Sequence, residues 1–321
     1  MDDFEASLPS KLKPALDEVE EFERNWADNR QITEWDGHTF TPNFFADTAK
    51  YAYEKWSPRE GDVFIMSFPK TGTHWITEIV KQIIYRRDPH RLKIGRRWHA
   101  ELAIIEFGPA SKFQIIDHLP VPRRIFSCHL PAHLINLEKI RKCKAKIIYI
   151  YRNPKDQTVS WYHFSRKVPH AKSQQFKDLY PDNWEQFIDN YFSGKMPTEL
   201  RQGEWYPDHI KSWCKHKDDE NVMFVSYEDL SKDILSEVRK VARYLGEELT
   251  DEEILSICEK SSFEYMKKSS TGTPLQDIYE LFRKGKVGNW KDYFTSEQSE
   301  KVDRIIKEKL SGTDVEFTYE L

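Results

Sequence analysis

The stretch VFIMSFPKTGTHW, residues 63–75, determines the fold of this chain. It begins as an apolar run over Val63–Phe68, turns at Gly72 and continues into a helical pattern over Trp75–Tyr85. A buried strand that turns directly into a helix is the repeating unit of α/β proteins. The stretch therefore predicts a strand, a tight loop and a helix, with the loop at the carboxyl end of the strand.

The loop has the chemistry of an anion site. Gly72 lets the backbone turn closely, and the amides at a helix N-terminus point toward an anion. Lys70 adds a positive charge, and Thr71 and Thr73 add hydroxyl donors. The loop is not a Walker A motif, G-x-x-x-x-G-K-[ST], because its lysine precedes the glycine. An ordinary turn with a surface lysine is the alternative interpretation.

Further apolar runs predict the remaining strands of the sheet. They lack polar alternation, which is typical of strands covered on both faces. Strands that alternate with helices predict an α/β fold, with a parallel β-sheet flanked by helices and ligands beyond the carboxyl ends of the strands. The predicted strands are Ile125–Cys128, Lys146–Tyr151 and Val222–Ser226, and the helices after the last two are Pro154–Arg166 and Asp233–Leu245, the latter ending at Gly246.

The organisation of the chain indicates one domain. Residues 1–40 are charged and irregular apart from a helical pattern over Leu16–Trp26. We interpret residues 1–40 as an N-terminal extension that packs on a single domain formed by residues 41–321.

Composition excludes several classes of protein. The chain has 321 residues and a net charge of −4, so no basic excess indicates a nucleic-acid polymer or an anionic membrane as partner. Its four cysteines form no CxxC pair, which favours a reducing compartment. The acidic N-terminus lacks the apolar region of a signal peptide, and no apolar run approaches the roughly 20 residues of a membrane helix. We expect a cytoplasmic protein.

Two further basic segments follow. Residues 152–164 read RNPKDQTVSWYHF, with Arg152 at a strand end and Ser160 about two turns into the next helix. An arginine and a hydroxyl can hold a terminal phosphate, although a surface arginine and serine would read the same. Residues 282–290 read FRKGKVGNW, and two glycines beside three cations are typical of a loop that wraps an anion or of a solvated loop.

Together the three segments resemble the cytosolic sulfotransferase family, over roughly residues 40–315. They match its P-K-[SA]-G-T-x-W, R-N-x-K-D-x-x-x-S-x-x-x-F and R-K-G-x-x-G-x-W motifs in order and spacing. The resemblance implies a P-loop-kinase-like fold. It also implies in-line transfer of a sulfuryl group from the co-substrate 3′-phosphoadenosine 5′-phosphosulfate (PAPS) to a hydroxyl or amine of a small organic acceptor, with release of the 3′,5′-bisphosphate (PAP) and no required metal.

The resemblance also assigns the donor site. The residues that it implies for the 5′-phosphosulfate are Lys70, Thr71, Gly72, Thr73 and His74. Those implied for the 3′-phosphate are Arg152, Ser160, Arg283, Lys284 and Gly285, and those implied for the adenine are Trp75, Phe263, Tyr227 and Ser261.

A histidine that ends a strand is the candidate catalytic base. Residues 125–131 read IFSCHLP and resemble the catalytic T/S-H-L-P segment of the family, which makes His129 the base. A histidine suits this role because its unperturbed pKa of about 6.5 lies near working pH. Lys70 is the candidate for stabilising charge on the departing bridging oxygen. A structural histidine is an alternative, as is a zinc ligand paired with His133, but Pro131 lies between them and no H-E-x-x-H pattern is present.

The acceptor site and the oligomeric state are less determined. By family position Phe45, Phe107 and Phe164 line an apolar pocket, or else simply pack in the core. The segment Lys267–Leu281 contains Gly272 and Pro274, and we interpret it as a mobile lid over the site. Phenols, steroids, other alcohols and amines all remain open as acceptors. The family dimer signature K-x-x-x-T-V-x-x-x-E reads KDYFTSEQSE over residues 291–300, with Ser296 in place of valine, so the homodimer is in doubt.

Three other functions compete with sulfation. A kinase on a related loop would use ATP and magnesium, but the Walker spacing is missing and Arg152 stands where a magnesium-binding carboxylate is expected. A catalytically silent homologue would bind PAPS without turnover. A third possibility uses the sulfate ester as a leaving group and gives a net dehydration.

Overall fold

A computed structural model describes residues 3–29, 31–88, 91, 98, 101–168, 174–270 and 285–321. Its central sheet is parallel, with four strands in the order β4-β3-β5-β6. The predicted α/β architecture is confirmed. The strands are β1 (Thr33–Trp35), β2 (His38–Phe40), β3 (Val63–Ser67), β4 (Ile125–Cys128), β5 (Lys146–Tyr151) and β6 (Val222–Ser226).

The register of the sheet aligns the ends of its strands. Val63 pairs with Ile125 on one side and Lys146 on the other, and Ile147 pairs with Val222. All residues of β3 and β4 are buried, as continuous apolar runs predict. Three strands keep their predicted bounds, while β3 ends one residue early at Ser67.

Helices lie between the strands of the sheet. Trp75–Tyr85 lies within α4, and the predicted helix from Pro154 ends one residue early. The helices are α1 (Asp3–Ala6), α2 (Lys13–Asn25), α3 (Ala46–Glu54), α4 (Thr73–Tyr85), α5 (Lys112–Ile116), α6 (Leu137–Lys142), α7 (Pro154–Ser165), α8 (Gln174–Leu179), α9 (Trp184–Phe192), α10 (Tyr206–Cys214), α11 (Tyr227–Lys232), α12 (Ile234–Leu245), α13 (Asp251–Lys260), α14 (Phe263–Ser270) and α15 (Ser296–Lys309).

Local sequence signals explain where these helices begin and end. The Asn153 side chain accepts a hydrogen bond from the Asp156 amide (2.8 Å) and caps α7, whose first residue is Pro154. Gly246, in the left-handed conformation, ends α12 as predicted. Across the described residues, no helix is both long and apolar enough to cross a bilayer.

The N-terminal segment is more ordered than the sequence suggested. Phe4, Leu12 and Val19 are buried in the main core. The interpretation of residues 1–40 as irregular outside one helix is wrong, because β1 and β2 form an antiparallel hairpin. Its turn is Asp36-Gly37, and both residues have positive φ (51° and 74°). An Asp-Gly pair between strands is a strong hairpin signal, so the sequence contained the information.

Candidate active site

A cavity of about 300 Å³ opens where the four parallel strands end. Each strand is followed by a residue that lines it: β3 leads to Lys70, β4 to His129, β5 to Arg152 and β6 to Tyr227. The sequence-predicted residues in the lining are Lys70, Gly72, Thr73, His74, Trp75, Phe107, His129, Arg152, Ser160, Phe164, Tyr227, Phe263 and Gly285.

The loop after β3 requires a glycine. Gly72 has φ of +112°, a conformation that side chains with a Cβ rarely adopt. A Cβ there would lie 2.8 Å from Cδ2 of Tyr227 and 3.0 Å from Cδ1 of Ile150. Gly72 is also the N-cap of α4 and offers no side chain to the first amides of that helix. This leaves the helix N-terminus directed at the cavity, as an anion site needs.

The hydroxyl of Thr71 forms a hydrogen bond within the loop itself. The Thr71 hydroxyl, expected to reach the anion, is fully buried and donates to the carbonyl oxygen of Phe68 (2.7 Å). A hydroxyl has a single proton to donate, so this side chain shapes the turn. The Gln157 side chain donates to the Pro69 carbonyl (2.8 Å) and ties the loop to α7.

Lys70 is held against aromatic surface at the rim of the cavity. Its Nζ lies 4.3 Å from the ring centroid of Phe164, and its backbone has a positive φ of 69°. Shielding from bulk water, together with the charges of Arg152 and Lys167, lowers the pKa of Lys70 to about 7. A bound anion would raise the pKa of Lys70, so the lysine would be more fully protonated with the anion than without it.

Arg152 joins the second and third basic segments. Its Nη2 donates to the carbonyl of Lys286 (2.9 Å), and its guanidinium lies 4.2 Å from the ring centroid of Tyr227. Its buried Nε has no hydrogen-bond partner among the described residues. A buried guanidinium donor without a partner fits a site for an anionic ligand.

The basic segment of residues 282–290 is held next to Arg152 by the side chain of Asp156. Its carboxylate, almost fully buried, accepts hydrogen bonds from the backbone amides of Gly288 (2.8 Å) and Trp290 (2.9 Å). The predicted roles of Arg283 and Lys284 lie outside the described residues, as does most of the predicted lid, Lys267–Leu281.

Aromatic rings gather beside Lys70 and Arg152 in the cavity wall. Trp75 meets Tyr227 edge to face, with ring centroids 5.2 Å apart, and Trp75 Nε1 has no partner among the described residues. Phe263 packs against Gly285, where a Cβ would lie 3.4 Å from its ring. The fully buried hydroxyl of Ser261 donates to the Ile257 carbonyl (2.7 Å) at the end of α13.

The tautomer of His129 follows from its neighbours. Its Nδ1 lies 3.0 Å from the carbonyl oxygen of Ser67 and 3.2 Å from the Ser67 hydroxyl. A carbonyl only accepts, so Nδ1 carries the proton in this contact and the lone pair of the neutral ring is on Nε2. The Ser67 hydroxyl also contacts Oγ1 of Thr73 (2.7 Å), which connects the histidine to the first residue of α4.

The backbone of His129 is fixed on both sides. Its amide donates to Oε1 of buried Glu106 (2.7 Å), and its carbonyl accepts from Nε2 of His209 (3.1 Å). His209 Nδ1 in turn lies 3.0 Å from the Tyr149 hydroxyl. Burial lowers the pKa of His209 to about 3, so this ring is neutral and acts as a fixed linker.

His74 lies in the same wall and is also neutral. Burial lowers its pKa to about 3, and the charges of Lys70 and His129 contribute in the same direction. A neutral imidazole still carries one N–H donor, so His74 can donate a hydrogen bond into the cavity without carrying a charge.

Another part of the cavity wall, next to His129, is aromatic. Phe107 and Phe164 line it, but Phe45 packs edge to face on Phe22 (5.6 Å) and is not in the described lining. Phe44 takes that place, with its ring edge-on to His129 at 5.9 Å. Phe45 has an extended backbone, in which successive side chains point to opposite sides, and this explains the shift by one residue.

A buried carboxyl behind the cavity was missed by sequence reasoning. Glu199 is fully buried, and its Oε1 accepts from the amide (3.1 Å) and the hydroxyl (2.7 Å) of Thr41, a lining residue. Burial raises the pKa of Glu199 to about 7. Glu199 is 158 residues from Thr41 in sequence, and no local pattern indicates such a contact.

Known proteins resemble this chain over most of its length. Residues 60–314 match the family model described as the sulfotransferase domain. Sulfotransferase 6B1 of Mus musculus is 36% identical over 82% of this chain and 81% of its own, and amine sulfotransferase of Oryctolagus cuniculus is 32% identical over 82% and 85%. The crystal structure of mouse sulfotransferase SULT7A1 with PAP superposes with a TM-score of 0.69, at 29% identity over 88% of this chain and 96% of that one.

Proposed function

The chain belongs to the sulfotransferase family, and from this premise we propose that it transfers a sulfuryl group from PAPS to a hydroxyl or amine of a small organic acceptor. The observation that carries the proposal is the position of His129. Its Nε2 lone pair belongs to a ring held by Ser67, in the wall of the same cavity that Lys70 and Arg152 line.

The donor would occupy the basic and aromatic part of the cavity. The 5′-phosphosulfate lies at Lys70 and the N-terminus of α4, and the 3′-phosphate lies at Arg152, whose Nε is free of partners among the described residues. Ser160 and Phe164 are four residues apart on α7 and face the same cavity, so one helix serves both donor and acceptor. Adenine stacks among Trp75, Tyr227 and Phe263. Arg283, Lys284 and Gly285 complete the 3′-phosphate site in this proposal.

The reaction is a single in-line displacement at sulfur. The acceptor oxygen or nitrogen forms a bond to sulfur while the bond from sulfur to the bridging oxygen of PAPS breaks. The acceptor proton moves to Nε2 of His129, and PAP leaves with the electron pair of the broken bond. Lys70 stabilises the charge that develops on the bridging oxygen, and positioning with electrostatic stabilisation provides most of the rate. No metal is part of this mechanism.

The acceptor would be a largely apolar molecule with one nucleophilic group. Phe44, Phe107, Trp161, Phe164 and Tyr180 contribute rings to the cavity wall. Such walls bind apolar frameworks. The rabbit relative is named for amines, and the hydroxyl of an alcohol or phenol meets the same chemical requirement at His129.

A thermal-shift experiment with PAP, ATP with magnesium, and AMP tests the donor site. A ligand at 100 times its dissociation constant adds about 2.7 kcal/mol to the free energy of unfolding, which raises the melting temperature visibly. Stabilisation by PAP and not by ATP supports the proposal, whereas stabilisation by ATP with magnesium alone would replace it with a kinase.

Product analysis then separates the remaining possibilities. After a screen of phenols, steroids, alcohols and amines with PAPS, mass spectrometry distinguishes a sulfated product from a dehydrated one. PAP binding without turnover across the screen would favour a silent homologue.

The proposed location is the cytoplasm, and the oligomeric state remains a prediction. The four cysteines form no disulfide in the structure, which suits a reducing compartment. Ser296 is exposed at the start of α15, so the altered dimer signature is at the surface. Light scattering on the purified protein measures whether a homodimer forms.

A further inference from the structure

A cluster of possible metal ligands lies outside the cavity. Asp36, His38 and His133 each offer a ligand atom, and these atoms all lie within 4.8 Å of one another. Asp36 is in the β1–β2 turn and His38 begins β2. His133 is in a 3₁₀ turn over Ala132–Leu134, four residues after His129. The cluster therefore joins the N-terminal hairpin to the segment that carries the proposed base.

The two histidines face each other through their ring nitrogens. Their Nε2 atoms are 2.9 Å apart. His38 Nδ1 lies 2.9 Å from the backbone carbonyl oxygen of Asp36, which can only accept, so Nδ1 carries the proton of this ring. The Nε2 lone pair of His38 therefore points at His133. A backbone carbonyl that fixes the far nitrogen of an imidazole is a typical outer-shell contact of a metal-bound histidine.

The distance between the rings is compatible with a metal between them. Two nitrogens bound to one tetrahedral Zn²⁺ lie about 3.3 Å apart, because each Zn–N bond is about 2.0–2.1 Å. His38 is fully buried and fixed, whereas His133 is exposed and its ring is able to shift outward by the small amount needed. A metal ion would then take the place of the single proton that the two nitrogens share.

Asp36 supplies the third ligand and is opposed by one competing cation. Its carboxylate is exposed, and Oδ2 accepts a hydrogen bond from Nη2 of Arg201 (2.8 Å). Both side chains are about half exposed, and surface ion pairs of this kind are weak. The carboxylate can therefore exchange its partner for a metal ion at little cost.

We propose that Asp36, His38 and His133 bind one divalent transition-metal ion, of which Zn²⁺ is the best match. Two imidazoles and one carboxylate with an open fourth position for water form a known type of zinc site. The site is distinct from the proposed reaction, which uses no metal. The bound ion would have a structural effect, because it links β2 to the segment that follows His129. Thr41 and Phe44, which follow β2 and line the cavity, would be held in place with it.

Direct metal titration tests this proposal. The full-length protein is treated with a chelator, dialysed and titrated with ZnCl₂ by calorimetry, and with CoCl₂ while visible absorption is recorded. We expect one equivalent to bind, with the absorption of a tetrahedral nitrogen and oxygen site. His133→Gln and Asp36→Asn are each expected to weaken binding by at least about tenfold. These side chains are exposed, so both variants should fold. Circular dichroism of each variant in the absence of ligand checks this.

Two further variants make the test specific. His118→Gln removes an exposed histidine outside the cluster and should leave affinity unchanged. Arg201→Gln removes the competing cation and should strengthen binding. The proposal is overturned if no stoichiometric binding occurs, if His133→Gln binds as well as the unaltered protein, or if cobalt gives thiolate charge-transfer bands that indicate cysteine ligands.

Discussion

Nδ1 of His129 is 3.0 Å from the carbonyl oxygen of Ser67, the last residue of the neighbouring strand β3. Because β3 and β4 are adjacent and parallel, this contact is set by the register of the sheet and not by a flexible side chain. A backbone acceptor cannot be removed by mutation, so the orientation of the imidazole is insensitive to side-chain changes at position 67. With Nδ1 held in this way, the lone pair of the neutral ring stays on Nε2.

Replacement of His129 by alanine or asparagine should remove the proton acceptor. Turnover is expected to fall by about 10²–10⁴-fold, the usual contribution of a general base, while PAP binding measured by thermal shift stays close to that of the unaltered protein. His118→Ala, an exposed histidine, serves as the matched control. Activity that survives the loss of His129 nearly intact would show that another group is the base.

Lys70 should take up a proton when PAP binds. Its pKa of about 7 in the free protein rises next to the phosphate, so affinity should fall as pH increases from 7 toward 9, by at most about tenfold per pH unit. Calorimetry in buffers of different ionisation enthalpy measures the uptake directly. Lys70→Met should abolish it.

The exposed Lys167 provides a second check on this assignment. Its charge lowers the pKa of Lys70, so Lys167→Met should move the loss of affinity to higher pH. Equal proton uptake in the Lys70→Met variant and the unaltered protein would place the titrating group elsewhere.

Gly72→Ala should reduce both stability and donor affinity. The backbone conformation alone costs about 1–2 kcal/mol for a residue with a Cβ, and the collision with Tyr227 adds to this. Gly312 also has a positive φ (83°) but meets nothing within 4 Å, so Gly312→Ala is a control for the backbone term. Urea denaturation gives the free energy of unfolding of both variants, and the difference between their losses is the cost of the collision with Tyr227. Equal losses of stability in the two variants would show that no such collision occurs.

Glu199 should make the protein less stable as pH rises. Its carboxyl has a pKa of about 7 when folded and near 4.5 when unfolded, so the folded state keeps a proton that the unfolded state loses. Stability from this group is complete below pH 4.5 and declines until about pH 7, by roughly 3 kcal/mol. Glu199→Gln, which mimics the neutral acid, should flatten this decline and be more stable at pH 8.

Urea denaturation from pH 4.5 to 8 measures this effect as the difference between the two proteins. Glu220→Gln alters an exposed carboxylate and should follow the unaltered protein. A difference that does not change with pH would mean that Glu199 is ionised throughout.

The strands and the donor loop were predictable because their signals are local. Buried parallel strands are continuous apolar runs, and Gly72 and Lys70 follow directly from the first of them. The resemblance to the sulfotransferase family drew on the same residues and is confirmed. The hairpin could also have been predicted, since the Asp36-Gly37 pair is a local turn signal. It was missed because the segment around it is rich in charged residues.

The acceptor side depends on contacts that no periodicity records. Phe44 replaced Phe45 because a loop residue has no repeat that identifies which side it faces. The sequence also did not indicate that the hydroxyls of Thr71 and Ser261 donate to nearby carbonyls, a local contact that Ser and Thr form readily. Glu199 meets Thr41 only through the tertiary fold.

The arrangement of one lining residue after each of four strands has a consequence for synthesis of the chain. Gly72 and Tyr227 touch in the finished molecule, yet β6, which precedes Tyr227, is the last strand of the sheet to be made. A ribosome-bound chain that has emerged only as far as Arg152 therefore lacks the part of the cavity wall that Tyr227 forms. The cavity is therefore complete only after β6 and Tyr227 have been made, although Lys70 and Arg152 emerge earlier.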